Sequence, residues 1–74
     1  LTVSLATEHD VVLARQRARQ VAALLDFEAQ EQVRLATAVS EIARNAVRYA
    51  GGGRVELAVE EQDGTARLVV RVQD

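Results

Sequence analysis

The sequence predicts an α+β fold of order β-α-α-β-β, with two helices laid over one face of a three-stranded sheet. Three observations carry that expectation. Leu1, Val3 and Leu5 alternate with small polar residues at the period of a half-buried strand. Apolar residues then recur at helical spacing through two long stretches separated by Asp26-Phe27-Glu28. Finally, two alternating runs flank Asp63-Gly64, a dipeptide that favours the left-handed central positions of a type I′ hairpin turn.

The first strand covers Thr2 to Ala6. Thr7-Glu8-His9-Asp10 then has the form of a capping box, with Asp in the place of the usual Glu, ahead of an apolar series at Val11, Ala14, Ala18, Val21, Ala22 and Leu25. The first helix is therefore expected from Thr7 to Leu25, with Asp26 as the turn residue and Phe27 as the one bulky anchor of the connection. A second helix follows from about Ala29 to Ala50, and Gly51-Gly52-Gly53 supplies a left-handed exit. Those glycines follow a helix and lack the Gly-Lys-Ser/Thr order of a phosphate loop, so they are not read as one.

The runs from Arg54 to Glu60 and from Ala66 to Gln73 allow a register to be worked out from the turn. With Asp63 and Gly64 as the two loop residues, Glu56 faces Arg71, Glu60 faces Arg67, Val55 faces Val72, Leu57 faces Val70 and Val59 faces Leu68. Opposite charges fall on one face and apolar pairs on the other, the sorting that a stable sheet requires. The same parity points Asp74 toward the helices, where an unpaired carboxylate is costly unless it binds something.

The end of the second helix carries the most chemistry. On a wheel of about 100° per residue with Glu41 at zero, Asn45 falls near ~40°, Arg48 near ~340°, Tyr49 near ~80°, Arg34 near ~20° and Thr37 near ~320°. Leu35, Val39, Ile42, Ala43, Ala46 and Ala50 lie between about 100° and about 200° and are expected to pack. A carboxylate and an amide oxygen one turn apart can hold a hard cation or its waters, and an Arg further along can contact phosphate. The same residues also make an ordinary solvated face with an Asn45 to Glu41 hydrogen bond.

Glu41-x-x-x-Asn45-Ala46-x-Arg48-Tyr49 resembles the N-box of the GHKL ATPases, the superfamily of gyrase B, Hsp90, MutL and histidine kinases. Ala14-Arg15-Gln16 with Asp26-Phe27, then Thr37 through Asn45 and Tyr49-Ala50-Gly51, is similar to the RsbT and RsbW type of switch-protein serine kinases and anti-sigma factors. The resemblance implies a partial Bergerat fold, residues 1–74 forming the front half of an ATP-binding domain whose glycine box, lid and later strands have no counterpart here. It implies ATP and Mg²⁺ as cofactors, with Asn45 on Mg²⁺, Glu41 as the catalytic orienting group or base, Arg48 on phosphate, Tyr49 lining the nucleotide site and Asp74 on the adenine amino group. The partner implied is a STAS-domain antagonist or a sigma factor; a half-domain, with a sheet edge exposed and its core incomplete, is expected to be inactive by itself and to self-associate. The alternative is a non-catalytic interaction or assembly module that retains the N-box face as a relic.

Composition narrows the classes. A net charge of −2 offers no basic excess to release counterions, so nucleic acid is not an expected partner. Arg15, Arg17 and Arg19 lie among acidic residues and read as a solvated helix face. His9, the only histidine, has no second ligand beside it, and the absence of cysteine excludes disulfides and thiolate metal sites. No apolar run approaches membrane-spanning length and no signal-peptide pattern opens the chain, so a cytoplasmic protein is expected.

Overall fold

A computed structural model describes residues 1–73 and gives the order β1 (Thr2–Leu5), α1 (Glu8–Leu24), α2 (Ala29–Tyr49), β2 (Gly53–Gln62) and β3 (Thr65–Gln73). The sheet is antiparallel with strand order β1-β2-β3, and both helices lie on one of its faces. The predicted two-layer α+β arrangement is the observed one.

The hairpin register is the one derived from the turn. Glu56 pairs with Arg71, Glu60 with Arg67, Val55 with Val72, Leu57 with Val70 and Val59 with Leu68. Asp63 and Gly64 take φ values of 53° and 79°, the left-handed pair that a type I′ turn needs. On the open face Arg71 donates to Glu56 Oε1 at 3.0 Å and to Glu60 Oε1 at 2.9 Å, which holds its guanidinium above its ordinary pKa. The strands run further toward the turn than expected, because only the two loop residues leave the ladder.

Each helix begins and ends on identifiable chemistry. Asp10 Oδ2 accepts from the backbone N–H of Ala6 at 2.8 Å and of Thr7 at 3.0 Å, and these two bonds hold its carboxyl below the usual carboxylate value. At the other end of α1, Asp26 sits at φ 61°, Phe27 N–H reaches Ala22 O at 3.0 Å and Asp26 N–H reaches Ala23 O at 3.1 Å. This is a Schellman closure in which Asp takes the place usually held by Gly. Phe27 is half-buried there.

The core is thin and made of small residues. Ala14, Ala18 and Ala22 of α1 are fully buried, and Ala36 and Ala43 of α2 are buried with them, so the two helices meet along an alanine seam. Val3, Leu5, Val55 and Leu57 supply the sheet side of the core, and Val11 and Val39 supply the helix side. One detail departs from the wheel. Ile42 is 42% exposed and Ala50 is exposed, whereas Ser40 is buried. Ser40 can turn inward because its hydroxyl donates to Ala36 O at 2.8 Å within the helix, so burying it leaves no polar group unsatisfied. The packed arc of α2 is thus rotated away from Ile42.

Candidate functional site

The rotation of α2 decides how its polar residues are presented. With Ala36, Ser40 and Ala43 turned inward, the opposite side, which carries Glu41, Asn45, Arg48 and Tyr49, is exposed along its length. Tyr49 is 82% exposed. The four predicted residues of α2 therefore share one side of the helix, but Asn45 and Tyr49 form one group, Arg48 a second, and Glu41 stands apart from both.

Asn45 and Tyr49 belong to the first. They line an open groove of about 440 Å³ together with Ile42, Ala46, Ala50 and Val72. Val72 comes from β3, so the groove runs between the last two turns of α2 and the end of the hairpin. Its walls are mostly apolar, with the Asn45 amide and the Tyr49 hydroxyl as the polar groups. Ile42 was expected in the core and is here a wall of the groove.

Arg48 belongs to the second group. Its Nε donates to Glu8 Oε1 at 3.3 Å, and Arg44 Nε lies 3.7 Å from Glu8 Oε2, so the first residue of α1 gathers both guanidiniums. The Arg44 to Arg48 repulsion that a bare helix would suffer is relieved by that shared carboxylate. Glu8 was not anticipated; nothing in the local pattern joins residues forty positions apart on different helices.

Glu41 stands one turn before Asn45 on the solvent side, and the Asn45 to Glu41 hydrogen bond considered above is not formed among the described residues. The adenine-contacting role expected of Asp74 falls outside the described residues. Among the described residues no three His, Cys, Asp or Glu side chains come together to hold a metal. The donors present, one amide oxygen and one carboxylate a turn apart, fit a magnesium ion only where phosphate oxygens and water complete its octahedron.

The glycines after α2 fix where this site ends. Gly52 adopts φ 120°, donates to Ala46 O at 2.9 Å and passes so close to β1 that a Cβ would stand 2.6 Å from Leu5 O. The last turn of α2 is thereby tied to the end of the first strand.

No family model and no solved structure matches the chain. Among curated proteins, it is 40% identical over 72 residues to the serine/threonine-protein kinase RsbT of Bacillus subtilis. The alignment takes in 97% of this chain and 54% of that protein, so the chain spans about half the length of the relative it matches. The resemblance to the RsbT type of GHKL switch kinase, read from residues spread between Ala14 and Gly51, agrees with this similarity over nearly the whole chain.

Proposed function

We propose that residues 1–74 supply the N-box half of an ATP-binding serine/threonine kinase domain, acting in a chain of the relative's full length on a STAS-domain antagonist or a sigma factor. The observation that carries this reading is the placement of Asn45 and Tyr49 on one groove beside the inward-facing end of β3. The 40% identity to a serine/threonine-protein kinase supports it. In this reading Tyr49 and Ile42 flank the nucleotide, Asn45 holds Mg²⁺ through its amide oxygen, and Arg48 turns from Glu8 to contact phosphate. Glu41 orients or deprotonates the attacking hydroxyl, and Asp74 accepts from the adenine amino group. The metal supplies charge neutralisation between the phosphates; the protein's part is positioning.

The roles predict different losses. In a chain of the relative's length, Asn45→Ala abolishes Mg-dependent ATP binding measured by calorimetry, because the triphosphate charge is left uncompensated. Glu41→Ala keeps binding and loses phosphoryl transfer, lowering kcat more than it raises KM. Both side chains are exposed, so neither substitution costs more than about 1 kcal/mol of stability. Two variants that bind and transfer phosphate like the parent would refute the assignment.

A second reading is favoured by one specific feature: large apolar side chains stand open on this face, Ile42 at 42% and Tyr49 at 82%. They suit a non-catalytic assembly surface, for which loss of nucleotide binding would leave association unchanged.

A further inference from the structure

Glu8 is the first residue of α1, and its carboxylate reaches two guanidiniums of α2 with a different oxygen for each. Oε1 accepts from Arg48 Nε at 3.3 Å, and Oε2 lies 3.7 Å from Arg44 Nε. The backbone that carries Glu8 is fixed, because Asp10 Oδ2 ties down the N–H groups of Ala6 and Thr7 just before it. Arg44 could instead have paired with Glu41, one turn earlier on its own helix. Among the described residues it does not; both arginines turn to α1.

The two arginines are not equivalent toward Asn45. At about 100° per residue, Arg48 stands ~60° around the helix from Asn45 and Arg44 stands ~100° away in the same sense, toward α1. Residues three apart share a helix surface, so the long Arg48 side chain can serve either Glu8 or a phosphate held at Asn45. Arg44 is turned too far to do both.

The grip of Glu8 on Arg48 is light. Their side chains are 57% and 56% exposed, so water screens the pair and a triphosphate, with several negative charges, competes well against one carboxylate. Releasing Arg48 leaves no bare charge behind, because Arg44, at 39% the least exposed of the three, stays on Oε2.

We propose that Glu8 is a positioning residue of the nucleotide site: it holds Arg48 away from Asn45 until a phosphate arrives, and Arg44 then remains as its counter-ion. The proposal rests on the nucleotide reading above and adds to it the control of one phosphate contact from the start of α1. Only molecules with Arg48 released bind nucleotide at full strength, so the apparent affinity is reduced by the fraction in which Glu8 retains it.

Calorimetric titration of Mg-ATP into a chain of the relative's full length tests this. Glu8→Gln removes the competing charge and leaves the Thr7–Asp10 cap in place. It is expected to lower Kd by about two- to fivefold, the coupling of an exposed ion pair. In an Arg48→Gln background the same change should have no effect, which separates release of the guanidinium from a general loss of negative charge. Arg44→Gln leaves Arg48 as the one counter-ion of Glu8, so it should raise Kd by a similar factor with Glu8 present and not in Glu8→Gln. A Glu8→Gln Kd equal to the parent's, or a tightening that persists without Arg48, would overturn the proposal and leave the nucleotide reading standing. A parent that binds no Mg-ATP would overturn both. Should Arg48→Gln bind too weakly to measure, the Arg44→Gln comparison decides alone, and equal losses with and without Glu8 would refute the hand-over.

Discussion

Replacing Gly52 by alanine is the sharpest test of how the helix is tied to the sheet. Gly52 holds φ 120°, a region that residues with a Cβ avoid at a cost of about 1–3 kcal/mol. The added Cβ would also lie 2.6 Å from the Leu5 carbonyl oxygen, inside the 3.0 Å that real Cβ atoms respect. That neighbour is backbone at the end of β1, beside a Leu5 side chain only 2% exposed, so relief requires shifting a packed strand, worth about 1–3 kcal/mol more. Together the two effects come to about 4 kcal/mol. Gly51 is the internal control: its φ is 75°, nothing lies within 4 Å of its Cβ position, and Gly51→Ala should cost only about 1 kcal/mol. A domain of this length is stable by roughly 4–11 kcal/mol, so Gly52→Ala removes a large part of the total. Urea titration followed by circular dichroism reads the difference as a shift in midpoint at constant slope, and thermal melting as a fall of about 16–32 °C. Equal midpoints for the two variants would show that the approach of Gly52 to Leu5 is not a tight one, and the tie between α2 and β1 would have to be sought elsewhere.

The alanine seam predicts that Ala18→Leu, at a fully buried position, costs about 1–3 kcal/mol by overpacking, while Leu24→Ala, 83% exposed, stays within about 0.5 kcal/mol of the parent; chemical denaturation separates them. Asp10 gives a pH signature. Its folded pKa is depressed, so the stability it contributes is complete above the ordinary value of 3.8 and is lost as pH falls through the lower folded value. Asp10→Asn should therefore be less stable than the parent near about pH 6 and lose that deficit in strong acid, and a deficit that persisted at low pH would contradict the cap.

The hairpin was fully legible because a two-residue loop leaves one register, and the Glu56–Arg71 and Val55–Val72 pairs both agree with it. The helix limits were legible from the Thr7–Asp10 cap and the glycines after Tyr49. The rotation of α2 was not. An alanine-rich helix offers little contrast in size around its wheel, and Ser40, which counts as polar in sequence, satisfies itself on Ala36 O and packs. Ile42 was displaced to the surface in consequence. Of the site, the grouping of Asn45 with Tyr49 followed from helical spacing, while strand parity put Val72 on the helix side without saying which helix residues it would meet. The attachment of Arg48 to Glu8 could not be foreseen, since it depends on how the two helices cross.

The position of β1 sets the order in which the molecule can assemble. Val3 and Leu5 are core residues, yet every strand partner of β1 lies at Gly53 to Glu56. The α1–α2 pair and the β2–β3 hairpin can each close over short connections, but joining β1 to β2 spans a separation of 56 residues at Leu1 and Leu57. By loop entropy that step is about 2 kcal/mol less favourable than closing a connection of a few residues. A chain emerging from synthesis therefore carries its first strand unpaired until β2 has appeared, with only the alanine seam to organise what lies between. On loop entropy alone, docking of β1 follows closure of the α1–α2 pair and of the hairpin, and it completes the core.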